Sequence, residues 1–191
     1  MTPSSAADNK KVHATQVRFG GVGGQGIVLA GRLLGKAASL FDGKDAVCTQ
    51  SYGPEARGGA SRADVVISDH RVDYPFVLDA DILAVFFQEA YVMFRSQRKP
   101  GSILLIDDSL VKPYDGEENL HLVPAIRMAE ELGNRMAANV LMLGYLIGAT
   151  GIVSRESVEQ AIRTTVKPRI LDLNLEAFDA GMRVALENAA A

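Results

Sequence analysis

The sequence predicts an α/β fold with three layers (α/β/α), in which helices cover both faces of a mostly parallel, possibly mixed, β-sheet. Segments with strand-like and helix-like patterns alternate along the chain, as is typical of this architecture. The apolar run at 81–87 (DILAVFF) has the composition of a strand buried on both faces. The chain has 191 residues, 48% of them apolar and 23% charged, which suits one globular domain.

We expect this single α/β domain to occupy residues 17–188. Residues 1–16 are mostly small and polar and lack hydrophobic periodicity, which predicts a flexible N-terminal tail. The tail has no apolar run of the kind found in secretory signals, so we expect a cytoplasmic protein.

Six strands are predicted from short apolar runs that are bounded by turn residues. The third strand is followed by a polar turn at 69–71, and the last strand ends at Pro124. The predicted strands lie at 17–20, 44–49, 63–68, 81–87, 102–106 and 120–123.

Helices are predicted between and after these strands. The first covers 26–41, and the second covers 89–97 and ends before Pro100 and Gly101. The apolar run at 137–149 is shorter than the ~20 residues that cross a bilayer, so it predicts a buried helix.

Two more helices are predicted towards the C-terminus. Ser154 is placed to cap the N-terminus of a helix that extends to Val166, and the last helix starts near Ile170. Helical spacing of apolar residues predicts one buried stripe on the first helix and one on the last. The residues expected to face the core are Ile27, Leu29, Leu33, Leu34, Ala37, Leu40, Leu171, Leu175, Phe178, Met182, Ala185 and Leu186.

Charge and cysteine content exclude several classes of function. Twenty basic and 23 acidic residues give a net charge of −3 with no basic tract, so we expect neither nucleic-acid nor membrane binding. The single cysteine, Cys48, excludes an intrachain disulfide and a self-contained iron–sulfur cluster, which needs about four thiolates. Cys48 is interpreted as a small core residue. The three histidines are scattered, and no metal site is predicted.

The order of strands and helices along the chain predicts where a ligand site would lie. In sheets of this Rossmann-like type, ligands lie beyond the carboxyl ends of the strands. The chemistry is therefore expected in the loops that follow Gly20, Thr49, Phe87 and Ile106.

The first of these loops has the pattern G-x-G-x-x-G at 21–26 (GVGGQG). Such a loop brings the backbone close to a phosphate or to another chain, but it also serves as a tight turn without a ligand. A dinucleotide site needs an acid at the end of the second strand, where this chain has Thr49 and Gln50. Asp45 lies at the start of that strand, and no Walker lysine is present, so NAD binding is disfavoured.

The segment at 50–62 (QSYGPEARGGASR) is the most informative part of the chain. Arg57 and Arg62 have the fork geometry that binds phosphate or carboxylate. Glu55 can orient an arginine or a partner group, and Gly58 and Gly59 allow close approach of another backbone. A solvated loop with an internal ion pair is the alternative, but the density of special residues favours function.

Taken together, the glycine loop and the segment 50–59 resemble the gamma subunit of the 2-oxoacid:ferredoxin oxidoreductases. The amino-acid sequence of the second segment looks most like that of the 2-oxoglutarate branch of the family. The resemblance covers about 17–186 and includes the short motifs at 73–75 (DYP), 88–91 (QEAY), 139–144 (NVLMLG) and 174–178 (NLEAF).

This resemblance implies a function within a larger assembly. Similar enzymes decarboxylate a 2-oxoacid on thiamine diphosphate, pass electrons to [4Fe–4S] clusters and ferredoxin, and transfer the acyl group to coenzyme A. This chain has neither a thiamine diphosphate and Mg²⁺ motif nor cluster ligands, so those groups are expected on alpha, beta and often delta subunits. We therefore expect no catalytic residue and no tightly bound cofactor in this chain.

The resemblance also implies which residues form the site, because the gamma domain of relatives lies near the route of coenzyme A. Arg57 or Arg62 would meet its phosphates, and Tyr52 would stack on its adenine. The candidates for contact with coenzyme A or with the alpha subunit are Gly23, Gly24, Gln25, Gly26, Ser51, Tyr52, Glu55, Arg57, Gly58 and Gly59.

Three other interpretations of function stay open. The chain is alternatively the gamma subunit of a pyruvate or branched-chain 2-oxoacid oxidoreductase, a free-standing nucleotide-binding domain, or a scaffold domain whose glycine loop only packs against a partner. Among individual residues, Asp107 and Asp108 either hold Mg²⁺ or cap a turn. Gln88 either reaches the cleft or caps a helix, and Asn134 or Asn139 caps the buried helix or bonds across an interface.

Overall fold

A computed structural model describes residues 14–51 and 60–190 of the chain. It contains one sheet of six strands: β1 (Thr15–Gly21), β2 (Asp45–Ser51), β3 (Ser61–Ser68), β4 (Ala80–Val85), β5 (Arg98–Asp107) and β6 (Leu120–Val123). The strands lie in the order β2-β3-β1-β4-β5-β6. Only β3 runs antiparallel to its neighbours, and the pairs β1–β4, β4–β5 and β5–β6 are parallel. The predicted mixed α/β sheet is confirmed.

The direction of the strands brings the predicted loops to one edge of the sheet. Because β1 and β2 are both antiparallel to β3, they point the same way as β4, β5 and β6. The carboxyl ends of these five strands therefore share an edge, and the N-terminus of β3 lies at that edge too. The loops after β1, β2, β4 and β5 meet there, as the sequence predicts.

In the described part of the chain, six α-helices surround the sheet: α1 (Ile27–Lys36), α2 (Gln88–Phe94), α3 (Ala125–Glu131), α4 (Ala138–Thr150), α5 (Arg155–Arg163) and α6 (Leu171–Ala190). The larger core packs α1 and α3 to α6 against one face, where Phe19 and Leu105 are fully buried. The opposite face is covered by α2 through a smaller cluster that includes Tyr91 and Phe94. Of the described helices, none has the length and apolar character required to cross a bilayer.

Close contact between α4 and α6 defines the centre of the larger core. Every residue of α4 from Ala138 to Ile147 is buried, which confirms the buried helix predicted at 137–149. A Cβ on Gly144 would overlap the carbonyl of Phe178, and one on Gly181 would overlap the carbonyl of Leu141. The two backbones approach to a distance that only glycine permits, so these glycines are required by packing.

The helix predicted at 26–41 is shorter in the structure. The α-helix ends at Lys36 and continues as a π-helical turn at Ala37–Phe41. Within this turn Leu40 points away from the core and is 66% exposed. The prediction that Leu40 faces inward is therefore wrong. Leu186, near the end of α6, is 58% exposed, so the prediction that it faces inward is also wrong; at this level of α6 it is Ala185 that faces Gly148 of α4.

Two further boundaries differ from the prediction. The strand β5 begins at Arg98 and continues through Pro100 and Gly101, because Arg98 pairs with Ala80 at the edge of β4. Ser154 caps α5 as predicted, with its hydroxyl accepting from the backbone N–H of Ser157, but α5 already ends at Arg163.

Candidate binding surface at the carboxyl edge of the sheet

The glycine loop after β1 is held in shape by the side chain of Gln25. Its Oε1 accepts from the backbone N–H of Val22 at 2.9 Å, and its Nε2 donates to the carbonyl of Phe86 at 3.0 Å. The backbone N–H of Gln25 donates to the carbonyl of Val22 at 3.2 Å. The predicted site residue Gln25 therefore connects the loop to the end of β4.

Gly23 and Gly24 form the tip of the loop, and both are exposed. Gly24 has a φ of 92°, in the left-handed region that favours glycine, whereas the φ of Gly23 is not in that region. A Cβ at either position would have no described atom within 4 Å. The packing of the described chain therefore does not explain the glycine at 23, and the tip is open to close approach of another molecule.

Gly26, in contrast, is required by the interior of the protein. It has a φ of 73°, precedes α1, and no side chain caps that helix. Its carbonyl accepts from Nδ2 of Asn139 at 2.9 Å, and a Cβ at Gly26 would overlap the Asn139 side chain. Asn139 is 2% exposed, and its Oδ1 has no partner among the described residues. Asn139 therefore does not cap the buried helix but bonds to the glycine loop within the chain. Asn134 instead caps the short turn at Arg135–Ala137.

The second predicted motif ends beside the start of the glycine loop and begins one strand further away, at the same edge of the sheet. Ser51, the last residue of β2, pairs with Arg62 of β3, and Arg62 pairs with Gly20 of β1. Of the candidate residues in this motif, Ser51 is exposed at the end of its strand, and the others lie outside the described residues. Those others are Tyr52, Glu55, Arg57, Gly58 and Gly59.

Arg62 has a partner within the sheet. Its Nε lies 3.6 Å from a carboxylate oxygen of Asp64, which also forms a buried ion pair with Arg18 at 2.8 Å. The Arg62 side chain is 38% exposed. It is therefore positioned at the edge by Asp64, while part of it faces solvent.

A small apolar cavity of about 110 Å³ adjoins the glycine loop. Of the residues that line it, Met136 is 59% exposed, whereas Phe86 is buried. The sequence did not predict this cavity. Phe86 could have been predicted as a lining residue, because it follows the carboxyl end of a strand. No local pattern in the sequence predicts that α3 and the start of α4 lie beside the loop. The lining residues are Gly24, Gln25, Phe86, Ile126, Arg135, Met136 and Ala138.

Asp107, the candidate Mg²⁺ ligand, caps a turn instead. Its Oδ1 accepts from the backbone N–H groups of Ser109 and Leu110 at 3.1 Å each, and its Oδ2 accepts from that of Ile126 at 2.9 Å. The carboxylate is fully buried by these contacts. Within residues 14–51 and 60–190, no three His, Cys, Asp or Glu side chains are grouped as a metal site would require.

Two other single-residue predictions need correction. Cys48 is exposed, because β2 is an edge strand and its face is incompletely covered, so it is not a core residue. Gln88 neither reaches the cleft nor caps α2. Its amide exchanges two hydrogen bonds with the backbone of Lys112 on the adjoining loop.

The topology disfavours a dinucleotide site further. The strand β3 lies between β1 and β2, so the end of the second strand does not adjoin the glycine loop. Asp45 lies at the opposite end of β2, where its carboxylate accepts from the backbone N–H of Val72 at 2.8 Å.

Comparison with known proteins identifies the family. The family model described as pyruvate ferredoxin/flavodoxin oxidoreductase matches residues 16–184. The chain belongs to this family. Membership confirms the prediction made from the glycine loop together with segment 50–59.

Individual members of the family are similar along nearly the whole chain. The 2-oxoglutarate synthase subunit KorC of Methanothermobacter thermautotrophicus is 47% identical over 180 residues, which cover 90% of this chain and 95% of that protein. The ketoisovalerate oxidoreductase subunit VorA of Methanothermobacter marburgensis is 37% identical over 95% of this chain but 38% of its own length. The crystal structure of a keto/oxoacid ferredoxin oxidoreductase gamma subunit from Geobacter sulfurreducens has a TM-score of 0.84 at 40% identity, covering 92% of this chain and 98% of that one.

These relatives fix the type of protein. They are named as subunits of 2-oxoacid oxidoreductases, which are enzymes. The chain is a gamma-type subunit of such an enzyme, and its subunit character implies other chains.

Proposed function

We propose that the chain is the gamma subunit of a 2-oxoglutarate:ferredoxin oxidoreductase. The complete enzyme would decarboxylate 2-oxoglutarate oxidatively to the acyl-CoA and pass the electrons to ferredoxin. The observation that carries this proposal is the 47% identity to a 2-oxoglutarate synthase subunit, of which the chain spans 95%. The relative that acts on ketoisovalerate is less similar, at 37%.

The proposed role of this chain is to form part of the surface that receives coenzyme A or a sister subunit. The exposed tip at Gly23 and Gly24 supports this role, because no atom of the described residues lies within 4 Å of a Cβ at either position, which leaves room for close approach of a ligand or chain. Arg62 pairs with Gly20 at the start of the glycine loop, and Ser51 pairs with Arg62, so segment 52–59 leaves and rejoins the sheet at the same edge as that loop. Tyr52, Glu55, Arg57, Gly58 and Gly59 stay proposed site residues on the basis of the motif.

The residues of this chain fit the binding of phosphates better than the binding of redox centres. The start of α1 carries no capping side chain, and a helix N-terminus carries partial positive charge. One cysteine in 191 residues does not fit an iron–sulfur cluster. We therefore assign thiamine diphosphate, Mg²⁺ and the clusters to alpha, beta and delta subunits, where they supply decarboxylation and electron transfer.

Purification of the full chain with an affinity tag from its native host tests the proposal. We expect larger subunits to co-purify and the assembly to reduce ferredoxin only when 2-oxoglutarate and coenzyme A are both present. Pyruvate and branched-chain 2-oxoacids serve as matched substrates, and a faster reaction with either would assign the chain to that branch. A tagged chain that is recovered alone, with a bound nucleotide, would overturn the proposal in favour of a free-standing domain.

A further inference from the structure

The strand β2 is an open edge of the sheet. It pairs with β3 along its whole length of seven residues, from Asp45 with Ser68 to Ser51 with Arg62, without a bulge. Among the described residues, no strand pairs with its other side. The outward N–H and C=O groups of such a strand are available to pair with an added strand.

This edge lacks the features that usually prevent added pairing. Natural edge strands are short, bulged, or carry proline or lysine. The sequence of β2 (DAVCTQS) contains neither proline nor lysine. Its only charged residue is Asp45, at the first position, where the carboxylate is engaged by the N–H of Val72.

A basic groove of about 510 Å³ runs beside the open edge. The groove is lined by Ala46 and Cys48 of β2 and by Arg32 and Lys36 of α1. Arg32 is exposed, and the ammonium of Lys36 is held by Thr165, whose hydroxyl lies 2.9 Å away. No carboxylate lines the groove among the described residues, so its charge is positive.

We infer that an extended, acidic segment of a sister subunit adds to the outer edge of β2 and lies along this groove. This inference rests on the proposed function, which supplies the sister subunit. Backbone pairing with β2 would give the segment its extended conformation, and Arg32 and Lys36 would select acidic side chains. Because β2 ends at Ser51, the added strand would be continuous with the proposed site at the carboxyl edge.

Hydrogen exchange of the full chain, free and in the purified assembly, tests the pairing. In the free chain, we expect the outward amides of β2 to exchange faster than those of β3, which is paired on both sides. In the assembly, the same amides at 45–51 should exchange at least about tenfold more slowly, as for backbone groups in a paired strand. Unchanged exchange of β2 in an assembly that still oxidises 2-oxoglutarate would overturn the inference and leave the proposed function intact. Failure to recover any sister subunit would overturn both.

Charge reversal tests the chemistry of the occupant. Arg32→Glu should weaken association of the chain with its sister subunits by about tenfold at low salt, and the effect should shrink at high salt. Arg163→Glu is the matched control, because Arg163 is exposed on α5 and does not line the groove. Equal effects of the two variants, or no effect of Arg32→Glu, would contradict an acidic occupant.

Two other occupants give distinct results. Residues 1–13 contain Lys10 and Lys11, whose charge does not suit a basic groove. If the free chain already protects β2 and deletion of residues 1–13 removes this protection, the chain's own N-terminus is the occupant. If protection increases with concentration together with dimerisation in sedimentation, a second copy is the occupant. Either result would overturn the inference.

Discussion

Asn139 donates a hydrogen bond from Nδ2 to the carbonyl of Gly26, which lies 113 residues earlier in the chain, at 2.9 Å. The bond connects the buried helix α4 to the loop that leads into α1. Because Asn139 occupies the space where a Cβ of residue 26 would lie, the same contact also explains the glycine. The shape of the exposed loop is thus set from within the core.

The first prediction concerns this bond. Asn139→Ala should lower the free energy of unfolding by about 0.5–1.5 kcal/mol, because the half-buried carbonyl of Gly26 loses its bond from Asn139 and keeps only that from the N–H of Ala30. Amides of the glycine loop should exchange faster in the variant. Asn134→Ala is the control, since loss of that helical cap also costs about 1 kcal/mol but does not touch the loop. Equal loop exchange in the two variants would contradict the role of Asn139.

The second prediction separates the two glycines at the tip of the loop. Gly24→Ala should destabilise the isolated chain by about 1–2 kcal/mol, because a left-handed conformation is costly for alanine. Gly23→Ala should leave urea unfolding unchanged, because its Cβ would have open space. In the assembled enzyme, however, Gly23→Ala should raise the KM for coenzyme A or weaken assembly. If the KM for coenzyme A and the strength of subunit assembly both stay at the wild-type level, neither coenzyme A nor a sister subunit approaches the tip closely.

The third prediction tests the motif at 50–59. In the complete assembly, Arg57→Ala should raise the KM for coenzyme A or weaken subunit association by about tenfold, the effect of losing one charge-assisted contact of ~1.4 kcal/mol. Arg57→Lys keeps the charge but loses the fork geometry and should restore only part of the effect. Wild-type values for Arg57→Ala in both measurements would remove Arg57 from the site.

The fold was predictable from the sequence because its strongest signals are local. Alternating segments, the run at 81–87 and the largely apolar helix at 137–149 each contain enough information to define an element. The exposure of Leu40 was not predictable in the same way. It depends on the π-helical turn that follows Lys36, and periodicity continues through that turn as if the helix were regular.

The site was predictable only where it follows from strand direction. The rule on carboxyl ends places the loop at 21–26 and the segment after Ser51 at one edge, and the strand register agrees. The cavity at Met136 and the bond from Asn139 depend on how α4 packs against the loop. Such long-range contacts leave no spacing pattern in the sequence.

The fourth prediction concerns pH and the buried carboxylate of Glu117. This side chain is 3% exposed and pairs with Arg95 at 2.9 Å and Arg98 at 2.5 Å, and it accepts a hydrogen bond from the Tyr91 hydroxyl. Burial alone would raise the pKa of Glu117, but the hydrogen bonds from Tyr91 and Arg95 and the charge of Arg98 outweigh burial and lower it.

A lowered pKa means that the folded state binds this proton less readily than the unfolded state. The stability contributed by Glu117 is therefore present above the ordinary glutamate value of 4.5 and is lost as the pH falls through the lower folded value. The difference in unfolding free energy between wild type and Glu117→Gln should shrink as the pH falls below about 4.5. Urea unfolding from pH 7 to pH 3 measures it, with the exposed Glu131→Gln as control for the loss of one charge. A constant difference across this range would show that the cluster does not stabilise the fold through ionised Glu117.

The last prediction tests the contact between α4 and α6. Gly144→Ala should destabilise the chain by about 3 kcal/mol, because the new Cβ meets the backbone carbonyl of Phe178, which cannot rotate away as a side chain could. Gly35→Ala in α1 is the matched control: its Cβ would lie 3.5 Å from that of Cys48, an ordinary contact. This control should stabilise the helix by about 0.5–1 kcal/mol, because alanine loses less backbone entropy than glycine on folding. Urea unfolding of both variants, with unchanged slopes, measures the two effects. If Gly144→Ala unfolded at the wild-type midpoint, the helices would have to separate without cost, and the close packing described for α4 and α6 would be wrong.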